Sequence, residues 1–147
     1  MDKRVIAVAS DHAGIELKAS IKEALKDYAE EVLDLGTNSS NSVDYPDYGD
    51  AVAKAILSGR ATFGIAICGS GVGISIAANR HKGIRAALCS DGLTASLARR
   101  HNNANVLCMG ARLIGPETAK DCVKQFLATS FEGGRHEKRV TKLDNLN

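Results

Sequence analysis

The sequence predicts one three-layer αβα domain on a five-stranded parallel sheet, and three observations predict it. Apolar runs of strand length alternate with helical periodicity along the whole chain. The central run, Phe63 to Cys68, is apolar on both faces, and a glycine-rich turn stands where that run gives way to a helix. A strand covered on both faces needs helices above and below it, and parallel neighbours need crossover connections, so five βα units in succession leave few other architectures.

Each element has its own signal. Arg4 to Ala9 is the first strand, and Leu17, Ile21, Ala24, Leu25 and Tyr28 then mark one face of an amphipathic helix. Val32 to Leu35 is a short second strand. Residues 36 to 42, rich in Ser and Asn, form a loop because such side chains hydrogen-bond their own backbone. After Asp44-Tyr45-Pro46 a helix buries Tyr48, Ala51, Val52, Ala55 and Ile56 and stops at Gly59. Gly69-Ser70-Gly71-Val72-Gly73 ends the third strand and opens a helix running through Asn79. Ile84 to Cys89 and Val106 to Met109 are the fourth and fifth strands, with a helix carrying Leu93 and Leu97 between them. Pro116 suits the first turn of a helix that buries Ala119, Cys122, Val123, Phe126 and Leu127. Gly133-Gly134 is a hinge, and Arg135 to Leu146 make a final basic helix.

Composition narrows the partners. The chain of 147 residues is 44% hydrophobic and 24% charged, enough for one core and no second one. Nineteen Lys and Arg against seventeen Asp and Glu leave a net charge of +2, without the basic footprint of a nucleic-acid binder. Four cysteines without a CxxC pair, in a chain large enough to fold without disulfides, fit a reducing cytoplasm. Val5 to Ala9 is too short for an export signal and runs directly into Asp11-His12. The 19 uncharged residues from Ala61 to Asn79 approach spanning length, but their glycines and serines read as strand, turn and buried helix rather than as a membrane span.

In such folds ligands bind beyond the carboxyl ends of the strands. Those ends carry Ser10-Asp11-His12, Cys68-Gly69-Ser70-Gly71, Cys89-Ser90-Asp91 and Gly110-Ala111-Arg112, with His101-Asn102 just ahead of the fifth strand. The glycine turn lets backbone N–H groups converge on an anion at a helix start. It lacks the GK[ST] ending of a phosphate-binding P-loop and the spacing of GxGxxG, and it follows the third strand rather than the first. Cys68 precedes it, so the helix N-terminus favours its thiolate, and a base beside an anion-stabilising turn is what proton abstraction next to a carbonyl requires. Blander readings stand beside these: Asp11 as a helix cap, His101 closing a helix, and Arg135, His136 and Arg139 as a solvated face. Arg135 and Arg139, four apart, also share a face suited to one phosphate dianion. No His or Cys pair has the spacing of a structural zinc site.

Ser10 to Gly14, Asp44 to Pro46, Ile67 to Asn79, Gly83 to Ala86, His101 to Val106 and Glu132 to His136 together resemble the type B ribose-5-phosphate isomerases and their relatives acting on allose and galactose 6-phosphates. The resemblance implies a Rossmann-like sheet whose last two strands are exchanged, and one sugar-phosphate isomerase domain over residues 1–147 with 135–147 as its basic C-terminal helix. It implies cofactor-free, metal-independent interconversion of ribose 5-phosphate and ribulose 5-phosphate through an enediolate. By matching motif, Cys68 would be the base, His101 would open the furanose and Ser70 would relay the proton between oxygens. The Gly69, Gly71, Val72 and Gly73 backbone would stabilise the enediolate, with Asp11 and Tyr45 near the sugar. His12, Arg112, Arg135 and Arg139 would hold phosphate, and Asn102 would touch sugar hydroxyls. One branch of the family carries a glutamate base just after the turn; Ile74 and Ser75 stand there here, as in the cysteine branch. The resemblance further implies a homodimer, or a dimer-of-dimers tetramer, with both subunits lining each site. From other classes, a nucleotide-binding regulatory module and a thiol redox protein built on Cys68 remain open from sequence, as does a hexose 6-phosphate substrate.

Overall fold

The computed structural model describes residues 4–146. Five strands form one parallel sheet: β1 (Val5–Ser10), β2 (Glu31–Asp34), β3 (Phe63–Cys68), β4 (Ala86–Leu88) and β5 (Val106–Gly110). Their order is β2-β1-β3-β5-β4, so the last two are exchanged and the third lies at the centre. Six helices cover the faces: α1 (Ile15–Leu25), α2 (Tyr45–Leu57), α3 (Val72–Asn79), α4 (Gly92–Asn102), α5 (Pro116–Ala128) and α6 (Arg135–Asp144). A short 3-10 turn, His12–Gly14, precedes α1.

The central strands divide their side chains by size. Ile6, Val8, Ile65, Ile67, Leu107 and Met109 point to the face covered by α1, α4 and α5, where they meet Leu17, Ile21, Val123 and Phe126. Ala9, Ala66, Cys68, Val106 and Cys108 point to the opposite face, against Val52, Ala53, Ile74 and Ala78 of α2 and α3. Burying each large aliphatic side chain contributes about 1.5–3 kcal/mol, so the first face carries most of the hydrophobic stabilisation. The small face serves close approach: a β-carbon at Gly64 would lie 2.2 Å from Val52 Cγ1. This spacing seats α2 against β3, and Gly49 of α2 in turn lies close on α3, where a β-carbon would stand 2.9 Å from Ala77 Cβ and from the Ile74 carbonyl oxygen.

The elements expected from sequence are present, with shifts at their ends. α1 stops at Leu25, so Tyr28 falls beyond it and is exposed. β2 sits one residue earlier than the apolar run, because Asp34 pairs with Val8 in the ladder and Leu35 N–H then bonds the Val8 carbonyl. β4 is shorter than its apolar run, since the backbone N–H of Arg85 donates to Asn105 Oδ1 instead of a strand neighbour. α6 ends at Asp144, whose carboxylate receives the Arg85 guanidinium at 2.8 Å. Residue 147, placed in the basic tail by the sequence, lies outside the described residues. No helix among the described residues is long and apolar enough to cross a membrane.

Candidate active site

At the carboxyl ends of β1, β3 and β5 an open cleft of about 560 Å³ is lined by Asp11, Tyr45, Cys68, Gly69, Ser70, Val72, Gly73, Ile76, Arg112 and Leu113. Its floor is the turn from β3 to α3. Gly71 has φ +78, and a β-carbon there would lie 2.5 Å from Leu88 Cδ1 and 2.7 Å from the Met109 carbonyl carbon, so only glycine fits. That conformation turns Gly71 N–H back onto Cys68 Sγ at 3.1 Å, while Val72 N–H donates to Ser70 Oγ at 3.2 Å. The N–H groups of Gly69, Ser70 and Gly73 have no acceptor among the described residues. Gly69, Ser70, Val72 and Gly73 all line the cleft, so the positive end of α3 and these open donors suit an oxyanion bound there.

The walls come from three other segments. Asp11 is buried, and its Oδ1 accepts from Ala13 N–H at 3.0 Å, so the capping role read from sequence is real while the side chain also lines the cleft. Next to it, His12 Nδ1 accepts from Val43 N–H at 3.1 Å, which leaves the ring proton on Nε2 as a donor. Tyr45, the first residue of α2, packs so closely on α3 that a β-carbon at Gly73 would lie 2.5 Å from its ring. Arg112 follows β5, its backbone N–H donating to Gly69 O at 3.0 Å and its guanidinium lying over Gly69.

Four candidate residues lie elsewhere. Helices in this topology run back against the strands, so the end of α4 and the start of α6 sit at the amino edge of the sheet, opposite the cleft. His101 there stacks on His136, ring centroids 4.5 Å apart and planes 14° from parallel. Arg135 and Arg139 are exposed on α6, and Asn102 lines a separate cavity of about 460 Å³ with residues 79–87 and the end of α6. One chain therefore joins Cys68, Ser70, the glycine turn, Asp11, Tyr45 and Arg112, with His12 adjoining, but not His101, Asn102, Arg135 or Arg139.

Two features escaped the sequence. Lys18 is buried, 2% exposed, and its Nζ donates to Asp34 Oδ1, Thr37 O and Asn38 Oδ1 at 2.7–2.8 Å. Burial opposes ionisation of Asp34, yet hydrogen bonds from Lys18, Lys22 and Gly36 N–H outweigh it and hold the carboxyl at about 2. This clamp holds the loop that pairs with Ser10, one residue ahead of Asp11. The His101–His136 stack joins residues 35 apart through tertiary packing, for which no periodicity exists. Burial pushes the Cys89 thiol up to about 12 and the Cys122 thiol to about 11, and it raises Cys108 as well, so these three stay protonated.

A parallel α/β domain with a thiol, a carboxylate and open backbone donors at one cleft defines a class of enzymes that move protons on small anionic substrates. Comparison with known proteins narrows it. The profile of the Ribose/Galactose Isomerase family matches residues 6–143, and the chain belongs to that family. Ribose-5-phosphate isomerase B of Escherichia coli is 50% identical over 135 residues, 92% of this chain and 91% of its own. A ribose 5-phosphate isomerase structure from Thermotoga maritima superposes with a TM-score of 0.95 at 54% identity, covering 99% of this chain and all of that one. The type B enzyme of Trypanosoma brucei gives a TM-score of 0.94 at 43% identity, covering 98% and 99% of the two chains.

Proposed function

We propose that this chain interconverts ribose 5-phosphate and ribulose 5-phosphate by proton transfer through an enediolate. The observation that carries the reading is Cys68 at the end of β3, beneath a glycine turn whose N–H groups are open to the cleft. With the open-chain aldose bound, the Cys68 thiolate takes the proton from C2. The electron pair forms the C1–C2 double bond, and the former carbonyl oxygen becomes an oxyanion held by the turn. Ser70 passes a proton between O2 and O1, and the Cys68 thiol returns its proton to C1, giving the ketose and restoring the thiolate. Asp11 and Tyr45 hold the sugar hydroxyls at the cleft wall. His12 Nε2 and Arg112 supply donors for the phosphate. No step requires a metal or cofactor.

The aldose is a closed furanose in water, and its ring oxygen must be protonated as the ring opens. In this reading His101 does so, Asn102 holds hydroxyls, and Arg135 and Arg139 complete the phosphate site, all reaching the cleft from a second copy of the chain. The support for that second copy is twofold. These four residues stand at the wrong edge of their own sheet, and Val72 and Ile76, four apart on α3 beside the cleft, are 46% and 58% exposed, an apolar strip suited to an isologous contact. The domain spans the chain and works in the cytoplasm as a homodimer or paired dimer.

The test is an isomerase assay with EDTA present, comparing ribose 5-phosphate with allose and galactose 6-phosphates. Turnover should be highest on the pentose; a higher kcat/KM on either hexose would move the assignment to that substrate, and none on any of the three would end it.

A further inference from the structure

The cluster at the amino edge holds an unexplained group. His136 is 7% exposed and its Nε2 has no hydrogen-bond partner among the described residues, the Glu132 carboxylate standing 3.8 Å away. His101, Glu132 and His136 bring their donor atoms within 4.8 Å of one another, a grouping that invites a metal ion. The geometry argues against one. Lone pairs of an imidazole lie in the ring plane, and two rings 14° from parallel cannot aim theirs at one point without leaving the stack. Arg100 lies 3.9 Å from Glu132, and Arg135 and Arg139 both act on His136. The cation this cluster suits is a single proton.

We propose that the His101–His136 stack takes up one proton when a phosphate dianion docks on Arg135 and Arg139, which arms His101 as the acid for ring opening and makes His136 its positioning residue. This rests on the phosphate and ring-opening roles proposed above. The charged and titratable groups facing the stack are Arg100 of α4, Glu132 of the α5–α6 connection, and Arg135 and Arg139 of α6. Without an anion, three guanidiniums face one carboxylate, a surplus of positive charge that opposes a proton on His136, and two imidazoliums 4.5 Å apart would repel each other, so the stack has room for one proton at most. Burial, the neighbouring His101 and Arg135 each hold the His136 imidazole below its ordinary range, with Glu132 opposing them. A dianion on Arg135 and Arg139 cancels their field, and one proton from solvent then becomes favourable on the pair. The charged ring then rests face to face on its neutral partner, with the Glu132 carboxylate 3.8 Å from His136 Nε2. The proton goes to the ring oxygen O4 as the C1–O4 bond breaks, and the O1 hydroxyl proton leaves to solvent as the C1=O1 double bond forms, so the acid is formed only when a phosphorylated substrate is in place.

Sulfate is the probe, because it is a dianion across the whole range and brings no titration of its own. Calorimetric titration of the full-length protein near neutral pH, in buffers of different ionisation enthalpy, counts the protons taken up. The expected result is net uptake approaching one proton per site, lost in a double variant carrying His101→Asn and His136→Phe that still binds sulfate. In parallel, 15N spectra of the imidazoles should show His101 and His136 moving from neutral to imidazolium signals as sulfate is added, with His81 unmoved. Arg-dependent sulfate binding without proton uptake, or with uptake unchanged in the double variant, overturns the proposal and leaves the phosphate site standing. Sulfate binding that survives both Arg135→Ala and Arg139→Ala, or no binding at all, overturns both.

Discussion

The two edges of the sheet are built on opposite principles. At the carboxyl edge the chemistry is carried by backbone: a left-handed Gly71, open N–H groups and a sulfur held at 3.1 Å by an amide, all fixed by the packing of α3 on β3. At the amino edge it is carried by side chains on helix ends, Arg135 and Arg139 exposed and His101 held by one ring stack. The first is preorganised in a single chain, as an oxyanion site must be to stabilise developing charge without reorganising. The second lies away from the cleft of its own chain, and in the proposed function it would act on the cleft of another copy. In the proposed mechanism proton abstraction would thus be local to one chain, whereas ring opening and full phosphate recognition would belong to an assembly.

The largest effect should come from the preorganised edge. Cys68→Ala leaves a side chain that fits the strand end but removes the base, and turnover should fall by about 10²–10⁴-fold with phosphate-sugar binding retained. A residual rate above roughly a tenth of wild type would remove Cys68 from the proposed role. Gly71→Ala should be nearly as damaging for a different reason, since its β-carbon would meet the Met109 and Gly110 backbone; isomerase activity should fall with a lowered Tm, and an unchanged Tm would contradict the packing described.

His101→Asn separates the two edges. Ribose 5-phosphate must be opened, while ribulose 5-phosphate cannot form that ring because its C5 oxygen carries the phosphate. Forward turnover should therefore collapse while loss of a C1 deuterium from ribulose 5-phosphate continues near the wild-type rate. Equal losses would place His101 in the enediol step or in the architecture of the site. Arg135→Ala and Arg139→Ala should each weaken binding of ribose 5-phosphate and of inorganic phosphate by about 10-fold or more, in line with charge-assisted contacts of roughly 1.5–3 kcal/mol. Unchanged phosphate inhibition would return these arginines to the role of a solvated face.

The smallest effect concerns the clamp behind the cleft. Asp34 is held at about 2 against an ordinary 3.8, so its contribution to stability is complete above that ordinary value and is lost as pH falls toward 2. A Tm profile from pH 5 to pH 2 should steepen in that window. Asp34→Asn should flatten that segment while lowering Tm at neutral pH, because Lys18 is left buried without its carboxylate.

Legibility followed the range of the interactions. The strand and helix pattern, the β3–α3 turn and the residues at strand ends are set by neighbours in sequence, and they were readable: Asp11, Cys68, Ser70 and Arg112 converge as their positions after β1, β3 and β5 imply. That β3 is apolar on both faces was readable too, though not that its two faces divide by size or that Gly64 lets α2 approach. Nothing in the sequence singles out Lys18, since its partners Asp34, Thr37 and Asn38 lie 16 to 20 residues away with no spacing rule to link them. The separation of His101 from Cys68 follows from helix direction once the topology is known. Only the family resemblance pointed to the second subunit that would reunite them.

The central claim is that one active site draws Cys68 from one chain and His101 from another, and complementation tests it most directly. Coexpressing Cys68→Ala and His101→Asn chains in equal amounts gives half heterodimers, each with one intact site and one carrying both lesions. Conversion of ribose 5-phosphate by the mixture should then rise from the floor of either variant alone to about a quarter of wild type, as two-fold symmetry requires. Activity that stays at that floor in verified heterodimers would mean that each chain supplies its own Cys68 and His101, and the divided site would be wrong.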